Sequence, residues 1–210
     1  MEKNTKSGMV AAAVVISLTV GMFGGYAIGN NMNSDDDAQM GNMEKSESKS
    51  TADGTLVGGS LMVKDKDIVD NAANAKNVST TVSLVKLADL VDTLKSEGPF
   101  TVFGPTNEAF AKLDAKTVEA LQKPENVDQL KNILTYHVVP GTYTSADLRV
   151  MAQKGQKLKT VQGEELSPTL EGGKPSIKDA KGGIAGIETA DVISSNGVTH
   201  VIQSVLMPAK

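Results

Sequence analysis

Two histidines, His137 and His200, stand in a chain of 210 residues that has no cysteine. Acid-base or metal chemistry would therefore have to combine these imidazoles with carboxylates or hydroxyls brought close by folding. Zinc would need both histidines to meet a carboxylate such as Glu188 or Asp191. Strand alternation in "NGVTHVI" instead puts His200 on one face with Val198 and Ile202, which predicts a packed histidine held by a hydrogen bond. His137 follows Tyr136 in "YHVVPG", which reads as a strand with the two side chains on opposite faces and Thr106 as a candidate partner for His137. The cluster Thr106-Asn107-Glu108 in "GPFTVFGPTNEAF" offers either hydroxyl-carboxylate chemistry or a strand-turn-helix corner. Nucleophile-elbow, P-loop and dinucleotide fingerprints are missing, and "VGGSLM" lacks the closing glycine of an elbow. The adjacent Asp35, Asp36 and Asp37 lack the alternating ligands of a calcium loop. No catalytic constellation, metal site or cofactor is expected, and a hydrolase or metalloenzyme is the least supported class.

The elements that would position these residues follow a strongly uneven chain. Residues 1 to 7 carry Lys3 and Lys6 and read as a cytoplasmic segment; residues 8 to 29 hold no charged side chain and are long enough to cross a bilayer. They are expected to be a transmembrane anchor, or a signal peptide cleaved near Ala27. The domain would then lie in the periplasm or outside the cell, tethered or secreted. Gly21, Gly25 and Gly29 form a small-residue stripe suited to weak homodimer pairing in lipid. Residues 30 to 59 are rich in Asn, Ser, Asp and Gly and predict a disordered linker, with the folded domain over 60 to 208. The net charge of -4 and a single arginine, Arg149, leave no basic footprint for nucleic acid.

Within the domain, helical spacing comes first. Ile68, Ala72 and Ala75 mark one helix, and Leu87, Leu90, Val91 and Leu94 predict another, with Ser79 or Thr80 as caps nearby. "FTVFG" predicts a strand, Thr106 a helix cap, and Phe110 with Leu113 the buried side of that helix. Asn126 and Gln129 resemble a variant capping box before the stripe Leu130, Ile133 and Leu134. Past Tyr136 the glycine-separated pieces "LKTVQG", "EELSPTL", "EGGKPSIK" and "IAGIETADVI" predict short strands, and Asn196-Gly197 a turn. Helices followed by strands indicate an α+β domain.

Three stretches, "GPFTVFGPTNEAFAKL", "LKNILTYHVVPGTYTSADL" and "NGVTHVIQSVLMP", resemble in order and spacing the conserved boxes of the fasciclin-type domain. The resemblance implies short N-terminal helices packed on a wedge of two β-sheets and a non-enzymatic role in adhesion or surface interaction, with a surface protein or polysaccharide as partner. It implies structural roles for Phe100, Phe103, Thr106, Asn107, Phe110, Asn196, Gly197 and His200, and marks Tyr136 and His137 as an interaction or core motif. Gln203 stands where the family often has an acid, and "KDAKGGIAGIETADV" is expected to form an exposed loop or bulge. A periplasmic small-ligand or glycan-binding module is the alternative reading.

Overall fold

The computed structural model describes residues 54–209. The expected anchor or signal, the glycine stripe, the three aspartates and residues 30–53 of the linker lie outside the described residues. No helix among the described residues is long and apolar enough to cross a membrane.

The described chain opens with an antiparallel hairpin, β1 (Gly54–Val57) and β2 (Ser60–Val63). Its first strand falls inside the stretch expected as linker. Val57 and Met62 explain this, since each is buried against Val192 and Val201 and so anchors its strand. Seven short helices follow: α1 (Ile68–Ala72), α2 (Ser79–Leu87), α3 (Val91–Lys95), α4 (Asn107–Ala111), α5 (Ala115–Leu121), α6 (Val127–Tyr136) and α7 (Ser145–Lys154). The periodic run expected as one helix through Leu87 and Leu94 is two helices. Asp89 breaks it with φ 55°, and Leu87 ends exposed.

The remaining strands are β3 (Phe100–Pro105), β4 (Val138–Pro140), β5 (Leu158–Lys159), β6 (Glu165–Glu171), β7 (Lys174–Lys178), β8 (Ile184–Ser194) and β9 (Gly197–Ile202). Hydrogen bonding joins them into one sheet in the order β4-β3-β9-β8-β7-β6-β5, and the β1-β2 hairpin is a second, two-stranded sheet. The link is the long strand β8, which pairs with β7 through Ile184–Gly186 and with β9 from Ile187 onward. Its register shifts between Ile187, Thr189 and Val192 place a bulged strand where an exposed loop or bulge was expected. Among the described strands only β3 and β9 run parallel.

Both faces of the sheet are covered. Neighbours Val138 and Val139 enter different apolar clusters, as do Val201 and Ile202, because alternate strand residues point to opposite sides. One cluster gathers Leu84, Phe110, Leu130 and Ile133 from the helices. Another sets Phe103, Tyr136, Ile177 and Ile202 against Leu148 of α7. Every residue of β9 is buried, which accounts for its nearly continuous apolar sequence.

Candidate functional site

The phenylalanine-rich box is a strand-turn-helix corner. Thr106 leaves β3 in an extended conformation and its side chain accepts a hydrogen bond from the Ala109 amide at 3.1 Å, satisfying a free donor at the start of α4. Asn107 works across helices: its Nδ2 donates to the Lys76 carbonyl at 2.8 Å, and its Oδ1 accepts from the Thr80 amide at 3.0 Å. Asn107 thereby serves the N-terminus of α2, where Val78 supplies no side-chain cap and neither Ser79 nor Thr80 fills that place. Phe103 and Phe110 are buried, while Phe100 is half-buried at the edge of the helical cluster.

The Tyr-His pair closes a helix where a strand was expected. Tyr136 is the last residue of α6 and His137 its C-cap, so the two do not sit on opposite faces of a strand. The stripe of α6 continues through them, since Tyr136 and His137 stand three and four residues after Ile133. Tyr136 is 0% exposed; its hydroxyl accepts from the Ala180 amide at 2.9 Å and donates to the Glu165 carbonyl at 3.2 Å. Burial raises this phenol to about 12, and nearby Asp179 and Glu164 push the same way.

His137 is 3% exposed and bonds neither Thr106 nor any hydroxyl. Its Nε2 accepts from the Leu206 amide at 3.0 Å, so the proton sits on Nδ1, which donates to the Ile133 carbonyl at 2.8 Å. Burial lowers this imidazole to about 4, so it is neutral at pH 7. The expected capping box at the other end of α6 does not form: Asn126 turns its Nδ2 to the Ala120 carbonyl at 2.8 Å.

His200 carries the opposite tautomer. Its Nδ1 accepts from the Asp191 amide at 3.3 Å, which leaves the proton on Nε2 to donate to the Tyr143 carbonyl at 2.8 Å. Burial again lowers its pKa. Asp191 sits in the bulge of β8 with φ 57°, a conformation aspartate tolerates better than most residues. Its carboxylate accepts from the Ser145 amide at 2.7 Å and from the Ser145 hydroxyl, fixing the start of α7. Thr101, fully buried, donates to the Gly141 carbonyl at 2.7 Å and accepts from the Tyr143 amide at 2.9 Å.

Asn196 forms a third junction. Its Oδ1 accepts from the Ile68 amide at 3.0 Å and its Nδ2 donates to the Leu94 carbonyl at 2.8 Å, linking the β8–β9 turn to α1 and α3. Gly197 is required beside it, because a Cβ there would run into the Phe100 carbonyl oxygen. Sequence reasoning missed the partners of these groups. Buried Asn71 holds both polar groups of Val63 and the Ser194 hydroxyl, and Asp179 receives the Gly183 and Met207 amides. A local signal was available for one missed feature, the capping box of Thr144 and Asp147 at α7.

Ser145, Asp191 and His200 lie close together, yet both imidazole nitrogens of His200 are held by backbone groups and none faces the hydroxyl. Among the described residues no group of three or more His, Asp or Glu is arranged to hold a metal ion. Two open concavities of mixed polar and apolar lining adjoin at Thr142 as the lobes of a trough, one beside the β8–β9 turn and one beside α7.

The seven-stranded mixed sheet, its helical cover and the buried Phe103, Thr106, Phe110, Tyr136, His137 and His200 define a packed α+β domain whose boxes serve mainly as structural struts. The chain belongs to the fasciclin domain family, whose model matches residues 76–208. It is 40% identical to protein sll1483 of Synechocystis over 200 residues, covering 95% of this chain and 99% of that protein. Human periostin is 30% identical over 145 residues, 69% of this chain but 16% of periostin. A solved FAS1 domain pair from the insect cell adhesion molecule fasciclin I superposes with a TM-score of 0.63 at 24% identity, covering 69% of this chain and 52% of that one. That likeness establishes the fold.

Proposed function

We propose that this chain is a non-enzymatic interaction module of the adhesion type, exported and held outside the cytoplasmic membrane by its N-terminal apolar segment and polar tether. The observation that carries the reading is the employment of both histidines. Each ring nitrogen of His137 and His200 is bonded to a backbone group, which leaves no imidazole to act as a base. The insect relative is a cell adhesion molecule, and that role is carried over here as part of the proposal. A packed scaffold with open concavities of mixed polar and apolar lining suits recognition of a surface protein or polysaccharide.

The test is attachment. Beads displaying the chain are expected to bind cells or surface polysaccharide above beads displaying the Gly197→Val variant, in which the collision with Phe100 disrupts the fold. Equal attachment by the two would reject the proposal.

The alternative reading, a periplasmic small-ligand or glycan-binding module, is favoured by the trough that meets at Thr142.

A further inference from the structure

The two lobes of the trough enclose about 1180 and 840 Å³ of void, counted out to their open mouths. Thr142 lines both, so the two concavities adjoin there, one holding Ser195 of the β8–β9 turn and the other Gln156 beyond α7. The side chains of Ser195, Thr142 and Gln156 and the hydroxyl of Tyr143 have no protein hydrogen-bond partner among the described residues. These are neutral groups able to donate and accept, set along an open path. Beside them Tyr143 presents part of an aromatic ring, and Val150 and Met151 add apolar surface.

The charges along the same path are largely committed elsewhere. Lys95 pairs with Asp70 at 2.6 Å, Lys157 with Glu165 at 2.9 Å, and Asp147 is held in the α7 capping box. Glu97, exposed in the first lobe, has no partner among the described residues and would repel a polyanion.

We infer that the trough centred on Thr142 binds a neutral oligosaccharide, laid from Ser195 to Gln156 with a sugar ring against Tyr143. Sugar hydroxyls match unpartnered hydroxyl and amide groups, and the C–H face of a pyranose matches the electron-rich face of an aromatic ring. Long open grooves suit a linear chain better than a compact metabolite, which is held in a more enclosed cavity. The inference rests on the interaction-module reading and gives it a partner class and a site.

The test uses the full chain in a detergent without a sugar headgroup, titrated calorimetrically with cellohexaose, chitohexaose and isomaltohexaose, and with alginate as an anionic contrast. Saturable binding of at least one neutral hexasaccharide is expected. The double variant Tyr143→Phe with Gln156→Ala should weaken it about tenfold, the scale of two lost hydrogen bonds. Thr142→Val, placed where the lobes meet, should weaken it as well, each variant keeping the wild-type unfolding midpoint. No binding of the three neutral probes, binding of alginate alone, or binding indifferent to both variants would overturn the inference. Bead attachment separates the two readings: wild-type attachment retained by the trough variants removes the glycan site and leaves the adhesion module standing.

Discussion

Phe103 and His200 stack with their ring centroids 5.6 Å apart and their planes inclined by 24°. They are direct partners in the parallel pairing of β3 with β9, so the contact joins the first and last boxes of the domain. The phenylalanine covers one side of an imidazole whose two nitrogens already hold Tyr143 and Asp191. Replacing His200 with Ala leaves a part-buried amide and a part-buried carbonyl without their partner as well as opening a cavity. A loss of about 3 kcal/mol is expected in urea unfolding, with Phe103→Ala of similar size. A loss below about 1 kcal/mol for His200→Ala would mean that the two bonds are not formed.

Acid should loosen the domain through its two buried histidines. His137 has a folded-state pKa near 4, below its ordinary value of 6.5, and His200 is lowered too. The unfolded chain therefore binds protons that the folded one refuses, and stability rises with pH across this window. The stabilisation is complete above about pH 6.5 and is lost as pH falls toward 4, by about 3 kcal/mol for His137. Urea midpoints measured between pH 7 and 4 check this, and His137→Gln should flatten the slope.

The corner after β3 gives a graded pair of substitutions. Thr106→Ala removes one helix cap and should cost about 1 kcal/mol. Asn107→Ala releases the Lys76 carbonyl and the Thr80 amide together and should cost about 2 kcal/mol. Thermal unfolding of the two variants, which differ by a single residue position, tests whether Asn107 serves a helix other than its own.

Gly197→Ala should be more damaging than its single added methyl suggests. The new carbon meets the Phe100 carbonyl inside the β3–β9 pair, so the strands must part to admit it. A destabilisation of about 3 kcal/mol is expected by denaturant titration. By contrast Gly155→Ala, which meets no neighbouring atom, should show only the smaller cost of its left-handed backbone at φ 64°.

What could be read from residues alone was whatever is encoded locally. Thr106 as a cap, β3 before it and the Asn196-Gly197 turn into β9 all depend on neighbours within a few positions. Tyr136 and His137 misled because the β-branched Val138 and Val139 follow them, although their spacing from Ile133 already continued the stripe of α6. At Asp89 the opposite happened, and apolar spacing ran on across a backbone break that periodicity does not register. The cap that Asn107 gives α2, and the grip of Asn71 on Ser194, join residues far apart in the chain. Such partners exist only once the sheet has brought them together. The trough at Thr142 was illegible for the same reason, since it is made by the meeting of several loops distant in sequence with α7.

The central claim is that the motif histidines are neutral interior struts, and that function lies on the surface they support. Nitrogen-15 spectra of the imidazoles across a pH titration test it most directly. The account predicts the Nδ1–H tautomer for His137 and the Nε2–H tautomer for His200 at pH 7, with His137 staying neutral until pH approaches 4. Titration of either ring near 6.5 in the folded protein, with fast exchange of its proton with water, would contradict it.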